Sequence, residues 1–265
     1  MGGMEPYLVA MCTEPDLVLA INEVTSEFHL SQAQKATDLG ADIIALADDY
    51  AFRQQSFIPR EKFVTFCLPA LQKMCDLAHR NGCRLLFHSD GNLAEYLDLF
   101  VEAGVDFLHP VEPGAMDIRK VHAQDGDRIV VCGNVDCANS LTFGEPADVE
   151  REVTQLLRDV APGGRSIMSS SNTIHSKVRP DTCRAMLDTL RRCGSRFPEG
   201  GAAVDHLLPG DARDPVADRA GSVPPGDDEA CGHAELIHAR AQPCGVVLPD
   251  ARAVLDLDRG DARVQ

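Results

Sequence analysis

Between Asp16 and Gly194 one unit recurs. It runs through a stretch of helical period, a stop at Gly or Asn-Gly, a short apolar segment, and then at once a cluster of ionisable or amide side chains. The short segments are Ala41–Ala47 (ADIIALA), Arg84–Phe87 (RLLF), Asp106–Leu108, Arg128–Cys132 (RIVVC) and Ser166–Met168. Their brevity and weak alternation predict strands buried on both faces, the habit of parallel sheets. Helices are predicted over Asp16–Leu39, Pro59–Arg80, Leu93–Ala103, Met116–Ala123, Pro146–Val160 and Pro180–Arg192, several of them opened by Pro and closed by Gly. Strand and helix in this alternation imply right-handed crossovers between parallel neighbours.

The chemistry-bearing residues all lie after the strands, whereas those before them are bland. Asp48-Asp49 follows the first strand, His88-Ser89-Asp90-Gly91-Asn92 the second, and His109, Pro110 and Glu112 the third. Gly133-Asn134-Val135-Asp136 follows the fourth and Ser169-Ser170-Ser171-Asn172 the fifth. A (β/α)8 barrel has this asymmetry, because its loops after the strands build the active cleft. A doubly wound open sheet shares it, but the chain has no Gly-rich dinucleotide or phosphate loop. The expectation is an α/β fold: a partial (β/α)8 TIM barrel of about five βα units over residues 1–194. An open arc of strands would carry two unpaired edges, each a place for association.

After Gly194 the character changes. Ser195–Gln265 is rich in Ala, Asp, Gly, Pro, Arg and Val, holds no Lys or Asn, and lacks steady periodicity apart from stretches such as Gly245–Leu248. Residues 195–265 are therefore expected to be a low-complexity, disordered tail. A natural extension and a shifted reading frame both remain open as its origin.

Composition narrows the function classes. A formal net charge of −16 disfavours phosphate backbones, so nucleic acid is not an expected partner. No apolar run approaches the roughly 20 residues of a membrane span, and no basic-then-apolar leader opens the chain, so a cytoplasmic protein is expected. The ten cysteines form no CxxC pair and read as small core residues in a reducing compartment.

Among the strand-end residues, His88 and Asp90 stand two apart in extended chain. Their side chains therefore share one face and could address one divalent ion; the alternative is that both merely hydrogen-bond within the strand-end layer. Asp48, Asp49, Asp90 and Asp136 are candidate acids, since clustered carboxyls raise one another's pKa. Asp48-Asp49 could instead cap the following segment, and Asn134 and Asp136 could hold loop geometry. Ser169–Ser171 lack the nucleophile-elbow glycines. His175 reads as a solvated loop residue.

Five segments carry a resemblance. GADIIALADDYAF (Gly40–Phe52), FHSDGN (Phe87–Asn92), VDFLHPVEP (Val105–Pro113), CGNVDCANSL (Cys132–Leu141) and IMSSSNTI (Ile167–Ile174) resemble, in order, successive strand-end segments of the uroporphyrinogen decarboxylase family, which includes cobalamin-dependent methyltransferases. The resemblance covers roughly Pro6 to Gly194 and implies about three further βα units before Met1. Its decarboxylase branch implies a cofactor-free reaction on a tetrapyrrole, in which carboxylates protonate the ring and stabilise the cation. Asp49, Asp90 and Asp136 would then be catalytic, and His88, Glu112, Asn134, Ser171 and Asn172 would meet substrate. Its methyltransferase branch implies Zn2+ held by a His-x-Cys pair and a later Cys, with a methyl donor or corrinoid protein as partner. Here His88 fits, Asp90 stands for the first Cys, and Asn172 or Ser171 for the second, so a further donor such as Glu112 would be needed. A catalytically inactive remnant or binding module is the third reading. A homo-oligomer is expected from the open edges.

Overall fold

The computed structural model describes residues 3–194 and the backbone of 245–248. Two helices, α1 (Met4–Thr13) and α2 (Pro15–Asp38), lead into β1 (Ile43–Ala47). Then come α3 (Arg60–Phe66), α4 (Leu68–Arg80), β2 (Arg84–His88), α5 (Leu97–Ala103), β3 (Phe107–His109), α6 (Ile118–Asp125) and β4 (Val130–Cys132). The series closes with α7 (Ser140–Phe143), α8 (Pro146–Val160), β5 (Ser166–Ile167) and α9 (Pro180–Cys193), followed by β6 (Gly245–Leu248). Strands β1 to β5 are parallel and lie in sequence order, so every crossover joins immediate neighbours. The α/β expectation therefore holds for a five-stranded parallel sheet.

The main core lies between the sheet and the helices, where Ile44, Leu85, Phe87, Leu108 and Val131 meet apolar helix faces. Alternation along the strands sends Ile43, Phe107, Val130 and Cys132 to the opposite face, against Leu86 and Ile167. That face also carries His88 and His109, paired in register across β2 and β3. An aromatic cluster braces the β1 and β2 ends: Tyr50 stacks on Phe87, and fully buried Phe63 stacks on Tyr96 at 4.3 Å.

Four elements depart from expectation. The single helix over Pro59–Arg80 is two, α3 and α4, meeting at Cys67. Pro69, in the first turn of α4, has no N–H to continue the ladder. Helices α1 and α7 were not anticipated; α7 is only one turn long and sits inside the loop after β4. Finally, Gly245–Leu248, within the segment expected to be a disordered tail, pairs antiparallel with β1 and occupies the donors and acceptors expected to stay open on that edge. The rest of that expected tail lies outside the described residues. Among the described residues no helix is long and apolar enough to cross a membrane.

Candidate functional site

The parallel register brings the strand ends together. His88 closes β2 between Ala47 of β1 and His109 of β3. Backbone bonds continue the pairing one step further: Asp48 N–H donates to the His88 carbonyl and Ser89 N–H to the His109 carbonyl, both at 3.0 Å. Buried Ser89 accepts from Tyr50 N–H through its hydroxyl at 3.1 Å, fixing the chain just before Asp90.

Asp90 is the centre of the cluster. Its N–H donates to Asp49 Oδ1 at 2.9 Å, and its Oδ2 accepts from Asn172 Nδ2 at 2.6 Å. Its other oxygen, Oδ1, is buried, has no hydrogen-bond partner among the described residues, and lies 3.9 Å from His88 Nε2. Burial holds the Asp90 carboxyl above its ordinary range; His88 opposes this, and Asp49 and Glu112 add to it. Gly91 turns with φ +87°, and a Cβ there would stand 2.5 Å from the Ala51 carbonyl oxygen. The tight turn thus needs glycine at this position. Gly91 N–H donates to Glu112 Oε2 at 2.9 Å, while Glu112 Oε1 accepts from Arg53 at 3.1 Å.

One ligand atom from each of Asp49, His88 and Asp90 falls within 4.8 Å of the others. That is close enough for the three to draw in around a single cation, and Asp90 Oδ1 is an acceptor in want of a partner. The third donor in reach is thus Asp49 rather than Glu112, whose two oxygens are engaged by Gly91 and Arg53. Two carboxylates and an imidazole suit zinc or a harder divalent ion.

The other sequence candidates lie around this cluster in different roles. Asn172 joins it directly through Asp90. Asn134 is buried and donates to the Val111 carbonyl at 2.7 Å, tying the loop after β4 to the one after β3. Ser171, also buried, accepts from Cys137 N–H at 3.0 Å. Asp136 accepts from Asn139 through both carboxylate oxygens, at 2.9 and 2.8 Å, and organises the turn into α7. Asp48 turns to the helix side, where it hydrogen-bonds Tyr50; burial pushes its carboxyl up to about 6, with Asp49 adding to the effect.

Sequence reasoning passed over His109. Its Nδ1 lies 2.7 Å from His88 Nδ1, with the rings stacked at 4.9 Å and 28°. Burial, with His88 beside it, brings His109 down to about 4. The available signal was positional: both histidines are the last residues of adjacent strands.

A model of the uroporphyrinogen decarboxylase (URO-D) family matches residues 1–193. The chain belongs to that family. Relatives of this uroporphyrinogen decarboxylase family member fall in two branches. The methylcobamide:CoM methyltransferase MtbA of Methanosarcina acetivorans is 26% identical over 151 residues, 57% of this chain and 43% of that protein. The uroporphyrinogen decarboxylase of Pectobacterium atrosepticum is 26% identical over 137 residues, 50% of this chain and 37% of the relative. The chain therefore spans about two fifths of the length of these relatives. Among solved structures, a methyltransferase from Methanosarcina mazei matches with a TM-score of 0.61 at 20% identity, over 71% of this chain and 53% of that one. That likeness supports the family's fold for the described strands and helices.

Proposed function

We propose that residues 3–194 are an arc of a (β/α)8 barrel whose strand ends hold a divalent cation, zinc in the first instance, for methyl transfer from a corrinoid donor to a thiol acceptor. The observation that carries this reading is the Asp49–His88–Asp90 triad, with ligand atoms within 4.8 Å and one buried carboxylate oxygen unpartnered among the described residues. A bound zinc ion would supply Lewis acidity, lowering the pKa of an acceptor thiol. The protein's own contribution is orientation. Asn172 holds Asp90 Oδ2 so that Oδ1 faces His88, and the N–H of Asp90 holds Asp49. The two carboxylates balance the charge of a divalent ion. Arg53, ion-paired with Glu112 beside Gly91, is a cation placed to meet an anionic acceptor. Carboxylates and an amide here replace the thiolates implied for the methyltransferase branch, giving a harder donor set that binds zinc less tightly than sulfur would.

The test is zinc titration of the purified, chelator-treated full chain. One Zn2+ per chain, lost in His88→Ala and in Asp90→Ala, supports the reading. Failure of the wild-type chain to take up zinc, cobalt or manganese refutes it.

A second reading rests on Asp90 alone. A carboxyl whose burial makes it hold its proton more tightly than usual, beside an imidazole, suits the ring protonation that begins decarboxylation of a pyrrole side chain. Turnover of a porphyrinogen by chelator-treated protein, abolished in Asp90→Asn, would favour this branch over methyl transfer. A chain with neither metal uptake nor turnover would be the non-catalytic module.

A further inference from the structure

We propose that two copies of this chain pair about a two-fold axis, the exposed apolar stripe of α2 in each lying in the groove beside α9 of the other. Neither face includes a residue of the Asp49–His88–Asp90 cluster, so the pairing stands apart from the cation reading.

The two faces stand at opposite ends of the sheet. Helix α2 leads into β1, whose outer edge is covered by β6, and α9 follows β5, which ends the sheet on the other side. On α2 the buried residues are Val18, Ala33 and Ala36. Leu17, Val24 and Phe28 lie on another face and remain 45%, 68% and 58% exposed. At about 100° per residue, spacings of seven and four bring these three within about 40° of one another. They form one stripe about 16 Å long. Asp16 and Glu27, both exposed and three turns apart, lie along one flank of it. No other described helix carries three large exposed apolar side chains on one face.

At the far end, a groove of about 410 Å3 is lined by Ile174 and Val178 from the loop after β5 and by Pro180, Cys183 and Leu187 from successive turns of α9. Its charged rim is Arg179, Arg184 and Arg191 against Asp188 alone. The rim is therefore cationic in a chain whose formal net charge is −16. An occupant must be apolar along its middle and acidic at its side. The stripe of α2, flanked by Asp16 and Glu27, is both, and its length suits the two turns that separate Arg184 from Arg191.

A single contact of this kind would leave one face open on each copy and would propagate. The two-fold axis closes it, because each copy gives its α2 and receives the other's. Doubling the contact also lowers what each must bury: about 600–1,000 Å2 apiece reaches the roughly 1,200–2,000 Å2 of a stable interface.

Sedimentation equilibrium of the full chain, up to about 100 µM, reads the association. A two-copy mass is expected. Val24→Asp on the stripe and Ile174→Asp in the groove both alter exposed side chains, and each is expected to raise the dissociation constant about 10-fold or more by placing an unpaired charge in the contact. Arg184→Glu, on the rim, is the second groove variant should Ile174→Asp melt early, and is expected to weaken pairing as well. Mixed in equal amounts, the Val24→Asp and groove variants should recover a dimer, since one keeps its groove and the other its stripe. A wild-type chain that stays a single copy overturns the proposal and leaves the two faces to a partner of another kind. A dimer dissociated by Val24→Asp but by neither groove variant, or the reverse, pairs like faces and overturns it too. So does a mixture no more dimeric than its components, or a wild-type mass that climbs past two copies with concentration.

Discussion

Asp48→Asn should make this protein more stable, not less, at neutral pH. Asp48 follows β1 and turns to the helix side, where burial pushes its carboxyl from an ordinary 3.8 up to about 6, against the lowering effect of its hydrogen bond with Tyr50. The folded chain thus binds this proton more tightly than the unfolded one. The stabilisation is complete below the unfolded value and is lost as pH rises through the folded one. A change from 3.8 to about 6, at about 1.4 kcal/mol per pKa unit, corresponds to about 3 kcal/mol for keeping an ionised Asp48 folded at pH 7.5. Because the side chain is only partly buried, the working value falls toward 2 kcal/mol. Asparagine cannot ionise and keeps an acceptor for Tyr50. Urea unfolding followed by far-UV circular dichroism suits a chain with no Trp and three Tyr. The variant should gain about 2 kcal/mol over wild type at pH 7.5 and little at pH 4, with most of the difference appearing between about pH 4 and 6. Parallel pH profiles for the two proteins, or a variant less stable at pH 7.5, would refute the assignment of a partly buried carboxylate that resists ionising.

Three further substitutions probe the scaffold. Phe63 is fully buried and packs on Tyr96, Tyr50 and Phe100, so Phe63→Ala should cost about 3–5 kcal/mol of unfolding free energy by urea titration. Gly91→Ala should cost about 1–3 kcal/mol and weaken any metal uptake, because the turn must open to relieve contact with the Ala51 carbonyl; unchanged stability and zinc affinity would show that the turn is not tight. Asp106 is mostly buried and accepts from Leu85 N–H and Arg84 while meeting His79, whereas Asp98 pairs with Arg60 in solvent. Asp106→Ala should therefore cost about 1–3 kcal/mol in thermal or urea unfolding, by leaving a backbone donor unpaired, and Asp98→Ala no more than about 1 kcal/mol.

The strands were legible because each is a compact apolar run followed by a polar cluster. Arg84–Phe87, for example, was placed within one residue of β2. Helix α8 matched at both ends, its start marked by Pro146. Legibility failed where a boundary depended on a single backbone donor, as at Pro69 between α3 and α4, or where a helix had too few residues to show a period, as in α7. At the site, the pairing of His88 with Asp90 could be read from an i, i+2 spacing. The approach of Asp49 to the same pair could not, because Asp49 and Asp90 are 41 residues apart along the chain.

The sequence by itself determined the α/β class, the parallel order of the sheet and the end at which polar residues gather, since these follow from local period and from the placement of each cluster after its strand. Only the tertiary structure decided which of those residues face one another. Register set His88 beside His109, and a buried carboxylate joined Asn172 to Asp90, while Asp136 was turned away to organise α7. The physical reason is range: helical and strand periodicity are read over a few residues, but a site is assembled by contacts between chain segments tens of residues apart, and those depend on how the whole sheet packs.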